Sequence, residues 1–157
     1  MSINISKILC PTDFSELSLL ALRYGRELAE QFKAQLHCIH VVDESQQAWA
    51  ALGPEAAPIV VPTEDVLNAA AERMQSFFDA HLVGMTYVPI TEVIAGRPFV
   101  EIVRYAKEKT CDLIVIATHG RGGVMHALMG SVAEKVVRKA PCPVLTVRGG
   151  EHEFVMP

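Results

Sequence analysis

The run LIVIA at Leu113–Ala117 is apolar without interruption and leads directly into a glycine-rich loop, THGRGGVMHALMG. An unbroken apolar run suits a strand covered on both faces, as in a parallel sheet, whereas a strand with one wet face alternates. Parallel neighbours need crossover connections, usually helices.

The rest of the chain supplies them. INISKILC at residues 3–10 is a short apolar run stopped by Pro11, and Asp13 and Ser15 provide helix-start chemistry. A helix over about 15–33 follows, with Leu17, Leu20, Ala21, Tyr24 and Leu28 at three- and four-residue steps. QLHCIHVV at 35–42 returns to strand composition. From 43 to 62 the pattern lapses into a stretch with Gly53, Pro54, Pro58 and Pro62, too long for a tight connection, and reads as a surface insertion carrying Trp49. Thr63 can cap a second helix to about 81, where Leu67, Ala70, Ala71, Met74 and Phe78 keep the helical step. YVPITEVI at 87–94 is strand-like, but Pro89 lacks a backbone donor and argues for an edge position. Pro98 suits a first helical turn, and Phe99, Ile102, Val103 and Ala106 mark a third amphipathic helix. Beyond the loop, Ser131-Val-Ala-Glu134 reads as a capping box opening a last helix to about 139. PVLTV at 143–147 is a fifth strand, and 151–157 a loose tail.

Strand and helix alternate throughout, which with right-handed crossovers gives an α/β fold: a doubly wound, five-stranded parallel sheet with helices on both faces. One domain over residues 1–150 is expected, without internal repeats. Half of the residues are apolar and 20% are charged, enough for a sizeable core and unlike a disordered segment. With 14 Lys and Arg against 18 Asp and Glu, scattered along the chain, there is no basic footprint for nucleic acid and no polybasic membrane patch. No apolar run approaches the ~20 residues that span a bilayer, and the N-terminus lacks a signal-peptide pattern, so a soluble cytoplasmic protein is expected. Cys10, Cys38, Cys111 and Cys142 are far apart without Cys-x-x-Cys spacing and read as buried thiols. His37 and His40 flank Cys38, but alternation sends His37 and Cys38 to opposite faces and no third ligand is spaced with them, so no metal site is expected.

Ligands of such sheets lie beyond the carboxyl ends of the strands. The segments there are Cys10-Pro-Thr-Asp13, Val41-Val-Asp43 and Ala117-Thr-His-Gly-Arg-Gly-Gly123. Gly120, Gly122 and Gly123 let backbone N–H groups approach a phosphate closely, and Arg121 adds a cation. Gly130-Ser131 brings the positive end of a helix back to the same place. A P-loop is absent, and Gly-x-Gly-x-x-Gly breaks at Met125. The plainer alternative is a flexible connection ending in a helix cap. Asp13 and Ser131 are equally readable as caps, His119 as a phosphate contact or an ordinary loop histidine, and Met125 and Met129 as packing beneath the loop.

Taken together, KILCPTDFSELS, HVVDE, IAGRPFVEIVRYAKE and CDLIVIATHGRGGVMHALMGSVAEKVVRKAPCPVLTV resemble the universal stress protein A family over nearly the whole chain. Its nucleotide-binding members carry Gly-x-x-Gly, nine residues, then Gly-Ser/Thr. Gly120, nine intervening residues and Gly130-Ser131 match, and Ala117 stands where the first glycine belongs. The resemblance implies sheet order 3-2-1-4-5, an adenine nucleotide alpha hydrolase-like, Rossmann-like fold. It also implies ATP as ligand, with a divalent cation such as Mg2+ on the phosphates. Pro11, Thr12 and Asp13 would lie by the adenosine, and Val41 would offer its backbone to the adenine. Asp13 and Ala117 would stand near the ribose, with Thr118 and His119 opening the loop. The phosphates would meet the amides of Gly120, Arg121, Gly122, Gly130, Ser131 and Val132. A homodimer through strand 143–148 and a regulatory role in stress, with a protein partner, are further implications. No residue is an obvious base for efficient hydrolysis, so at most slow ATPase activity is expected. The alternative is a regulatory module of the same fold that has lost nucleotide affinity, with Ala117 as its mark; a nucleotide-cleaving enzyme would need a base and metal ligands that the sequence does not offer.

Overall fold

Leu113–Ala117 is a strand with four of its five residues buried, as its composition requires. The structure, a computed structural model, describes residues 2–44, 63–119 and 129–149. In chain order these contain β1 (Lys7–Pro11), α1 (Glu16–Phe32), β2 (Gln35–Asp43), α2 (Glu64–His81), β3 (Ile90–Gly96), α3 (Pro98–Glu108), β4 (Leu113–Ala117), α4 (Ser131–Lys139) and β5 (Val144–Val147). The strands form one parallel sheet in the order β3-β2-β1-β4-β5. Registers such as Cys10 beside Cys38 and Leu9 beside Ile114 put the most apolar strands at the centre.

Strand alternation divides the core into two layers. Ile8, Cys10, Leu36, Cys38 and Val115 face Ala21, Leu22 and Ala29 of α1 and Met74 of α2. Leu9, Ile39, Ile114 and Ile116 face Ile102, Tyr105 and Ala106 of α3 and Ala133 and Val136 of α4. The division follows from right-handed crossovers: the chain steps outward from β1 to β3, then returns to β4 and steps the other way, which moves its helices to the opposite face. α1 sits close on β1 because Gly25 has no side chain; a Cβ there would lie 2.1 Å from Cys10 Sγ. Cys10, Cys38 and Cys111 are buried and unpaired, and Cys142 is half-buried. Burial pushes the thiol of Cys38 up to about 12 and that of Cys111 to about 11, so these side chains pack as neutral thiols.

Several boundaries depart from the sequence expectation. β3 is the sheet edge, as Pro89 requires, but starts at Ile90, after the proline, leaving Tyr87 and Val88 exposed outside the ladder. Thr63 occupies the cap position of α2 without making a side-chain cap bond. Ala71 of the anticipated apolar stripe is exposed, and Met74 is the buried residue of that helix. No capping box opens α4: Gly130 is the N-cap and Ser131 already helical, which moves Glu134 one residue too far along to reach back. Glu134 pairs instead with Arg138 at 2.9 Å. β2 extends to Asp43, and the remainder of the anticipated insertion, from 45 to 62, lies outside the described residues, as does the 151–157 tail.

The α3 face holds a buried polar chain. His37 is 4% exposed, its Nδ1 lies 3.0 Å from the Tyr105 hydroxyl, and that hydroxyl donates to Glu92 Oε1 at 3.1 Å. Tyr105 has one proton to give, so its oxygen accepts from His37, which carries hydrogen on Nδ1. His37 Nε2 is a buried lone pair with no partner among the described residues. Burial, reinforced by the Lys7 and Lys109 cations and opposed by Glu92, holds this imidazole below its ordinary pKa. Protonation therefore favours the unfolded chain: the stabilisation is complete above the ordinary histidine value of ~6.5 and is lost as pH falls through the lowered folded value. Urea unfolding between about pH 7 and 5 is expected to show stability declining with acid, and His37→Gln to flatten that slope by up to ~1.4 kcal/mol per pH unit, the equivalent of one proton.

Candidate functional site

The strand order reverses between β1 and β4, so the crevice beyond their carboxyl ends is where such a sheet can admit a ligand. Local hydrogen bonds open it. Immediately after β1, the Thr12 amide donates outward to Ile39 of β2 at 2.8 Å. Immediately after β4, the Thr118 amide donates outward the other way, to Val147 of β5 at 2.9 Å. The registered pairing of β1 with β4 ends before this point, at Leu9 and Ile114.

On the β1 side Thr12 is 6% exposed; its Oγ1 accepts the Phe14 amide at 3.0 Å and shares a hydrogen bond with Ser18 Oγ at 3.0 Å. Its carbonyl receives His40 Nδ1 at 2.8 Å, which requires hydrogen on that nitrogen. Asp13 Oδ1 accepts the Ser15 amide at 3.0 Å, while Ser15 itself caps α1 by accepting the Ser18 amide at 3.2 Å. The cap is thus Ser15, and Asp13 orders the turn that enters it. Phe14 between them has φ +64°, a left-handed conformation that costs a bulky residue of order 1–3 kcal/mol.

β2 runs on past β1, whose Pro11 ends opposite Ile39. In a parallel strand the peptide groups of alternate residues point to the same neighbour. Ile39 turns its carbonyl to the β1 side, so Val41, two residues on, presents its backbone to the same side beyond the end of β1. Pro11 is buried at that end.

On the β4 side the loop is pinned at its base. The Gly130 amide donates to the Thr118 carbonyl at 2.5 Å, and a Cβ on Gly130 would stand 3.0 Å from that oxygen. The Gly130 amide is therefore engaged, and the first ladder bond of α4 runs from Glu134 to the Gly130 carbonyl at 3.0 Å. The amides of Ser131 and Val132 precede that ladder and point out of the helix at its positive end. Ala117, 8% exposed, belongs to the core layer facing α1. His119 Nδ1 is 3.1 Å from Thr118 Oγ1, and its Nε2 is buried with no partner among the described residues. Met129 packs on the α4 core layer. Gly120, Arg121, Gly122, Gly123 and Met125 lie outside the described residues.

Two features escaped the sequence reading. Glu101, 7% exposed in the first turn of α3, is ion-paired with Arg104 and lies against Gly96, where a Cβ would come within 2.7 Å of its carboxylate. Gly96 has φ +150°, so glycine is required there twice over. The clue was a glutamate between Phe99 and Ile102 on an otherwise apolar stripe. Phe14 was hidden because nothing local predicts a left-handed phenylalanine. Among the described residues no group of three or more His, Cys, Asp or Glu is arranged to hold a metal, and no helix is long and apolar enough to cross a membrane.

A profile described as the Universal stress protein family matches residues 4–148, and the chain belongs to that family. It is similar to universal stress protein MJ0531 of Methanocaldococcus jannaschii, 34% identical over 149 residues, covering 94% of this chain and 84% of that one. Its fold superposes on that of MJ0577 from the same organism with a TM-score of 0.78 and 27% identity, over 96% of this chain and 100% of the other. The universal stress protein from Archaeoglobus fulgidus solved in complex with dAMP shares the fold at 19% identity and a TM-score of 0.61, over 92% of this chain and 99% of that one.

The buried Thr12 hydroxyl carries much of this local order. Thr12→Val keeps its shape but leaves the Phe14 amide without its acceptor and removes the bond to Ser18, whose hydroxyl keeps the Ser15 carbonyl, and is expected to lower the unfolding free energy in urea by ~1–3 kcal/mol.

Proposed function

We propose that this universal stress protein binds ATP in the crevice between β1 and β4 and acts in the cytoplasm as a nucleotide-dependent regulator of a stress response. The observation that carries the reading is the closure of Gly130 on the Thr118 carbonyl. It sets the outward amides of Ser131 and Val132 across the crevice from Thr12 and Asp13, a ready anion site facing a carboxylate. In this reading the Val41 backbone receives the adenine edge, and Asp13, with Pro11 and Thr12, lies along the adenosine. Ala117 borders the ribose, and the phosphates meet the start of α4 and the loop of Thr118, His119, Gly120, Arg121 and Gly122. Gly130 contributes as close-approach backbone, because its amide is already used. The dAMP complex of the Archaeoglobus relative supports an adenine nucleotide as the ligand class.

A cradle of amides suits phosphate, and with no described metal cluster a Mg2+ ion would be held chiefly by the phosphates and water, screening their charge. Asp13 and His119 are each tied into local hydrogen bonds and are weak candidates for a base, so binding with at most slow ATPase activity is the reading. Ala117 departs from the family motif, but its place in the α1-facing core layer favours a site that tolerates the extra methyl over one that has lost its ligand.

Homodimerisation through β5 belongs to the same reading. β5 is an edge strand with Leu145 38% exposed, and a short apolar edge of this kind favours pairing with a second copy.

Calorimetric titration of ligand-stripped protein with ATP and magnesium is expected to give saturable binding, lost in Gly130→Ala and kept or tightened in Ala117→Gly. Absence of heat at millimolar nucleotide, with binding regained in Ala117→Gly, would instead identify a regulatory module with a vestigial site. Light scattering is expected to find a dimer that Leu145→Pro converts to monomer; an intact dimer in that variant would place the interface elsewhere.

A further inference from the structure

A left-handed bulky residue persists only where its surroundings over-determine it. Around Phe14 those surroundings come from two elements. The His40 ring of β2 packs tilted on the Phe14 ring at 4.4 Å, Phe77 of α2 meets it edge-on at 5.4 Å, and the Arg73 guanidinium of α2 lies over it at 4.6 Å. The same unit reaches the two residues that line the crevice. His40 donates to the Thr12 carbonyl, the Phe14 amide donates to Thr12 Oγ1, and the Ser15 amide donates to Asp13 Oδ1.

We propose that Phe14 is a positioning residue for the nucleotide. Its ring, clamped by His40, Arg73 and Phe77, holds Thr12 and Asp13 in the shape that meets the ligand, so that α2 governs affinity from the face of the sheet opposite α4. The inference rests on the nucleotide reading above and adds to it a lever: any partner that shifts α2 alters the affinity of the crevice. The energetic logic is that of a population. A glycine at position 14 visits both hands of φ about equally, and the apparent dissociation constant rises as the inverse of the competent fraction.

Two measurements on the full chain test this. Phe14→Gly is expected to weaken ATP binding about twofold in calorimetry, as a competent fraction near one half dictates. In the ligand-free protein the same change is expected to speed hydrogen exchange at the Ser15 amide, which Asp13 now shields. Arg73→Ala, an exposed change that leaves the core intact, should move both readouts in the same direction, and Phe14→Tyr should recover most of the affinity lost in Phe14→Gly. A purely structural role would lower the melting temperature of Phe14→Gly without altering affinity or local exchange in the folded protein. Unchanged Ser15 exchange in Phe14→Gly overturns the clamp, whatever the nucleotide data. Altered exchange with no loss of affinity overturns its role in binding. Altered exchange in Phe14→Gly together with no ATP binding by the natural protein overturns the nucleotide reading, and the positioning role with it.

Discussion

The pairing of β1 with β4 is the contact on which the rest of the molecule depends. Leu9 and Ile114, side by side in that register, are both fully buried, and every other strand adds outward from this pair. Because the chain leaves β1 in one direction and β4 in the other, the helices divide between the two faces and a cleft opens at the reversal. Thr12 and Thr118 each donate an amide to the outer neighbour, continuing the β1–β2 and β4–β5 ladders beyond the last β1–β4 pair.

Polar groups buried near this centre divide into two kinds. Thr12, Ser18 and Ser15 satisfy one another within a single turn, which fixes the geometry of the loop. The His37, Tyr105 and Glu92 chain on the other face is satisfied along its length but ends in a nitrogen without a partner among the described residues, which makes its stability dependent on proton concentration. The first kind shapes the site and the second anchors β2 and β3 to α3. Phe14 shows what the first kind can hold in place: conformational strain of order 1–3 kcal/mol, offset by ring contacts from a strand and a helix far apart in sequence.

The element order, the parallel sheet, the edge position of β3 and the place of the crevice were all legible in the amino-acid sequence. The reason is that each rests on a local period or a local prohibition: LIVIA has no wet face, Pro89 has no donor, and the helices repeat at 3.6 residues. The strand order 3-2-1-4-5 came from family resemblance. The residues proposed for the site fall on the segments beyond the carboxyl ends for the same topological reason, whether the group proposed to face the ligand is a side chain, as at Asp13, or a backbone, as at Val41.

Tertiary structure decided what depends on partners distant in sequence. Ser131 and Glu134 have the spacing of a capping box, yet Gly130 takes the cap position as its amide closes on the Thr118 carbonyl, an attraction that no window of a few residues contains. Phe14, left-handed in the turn after β1, is contacted by Arg73 and Phe77 of α2. Glu101 is buried because Gly96, at the end of another element, leaves room for it. Local periodicity thus determined which segments fold and on which side they are apolar. Three-dimensional packing determined which amides remain outward, which carboxylates are spoken for, and how the turn after β1 is held.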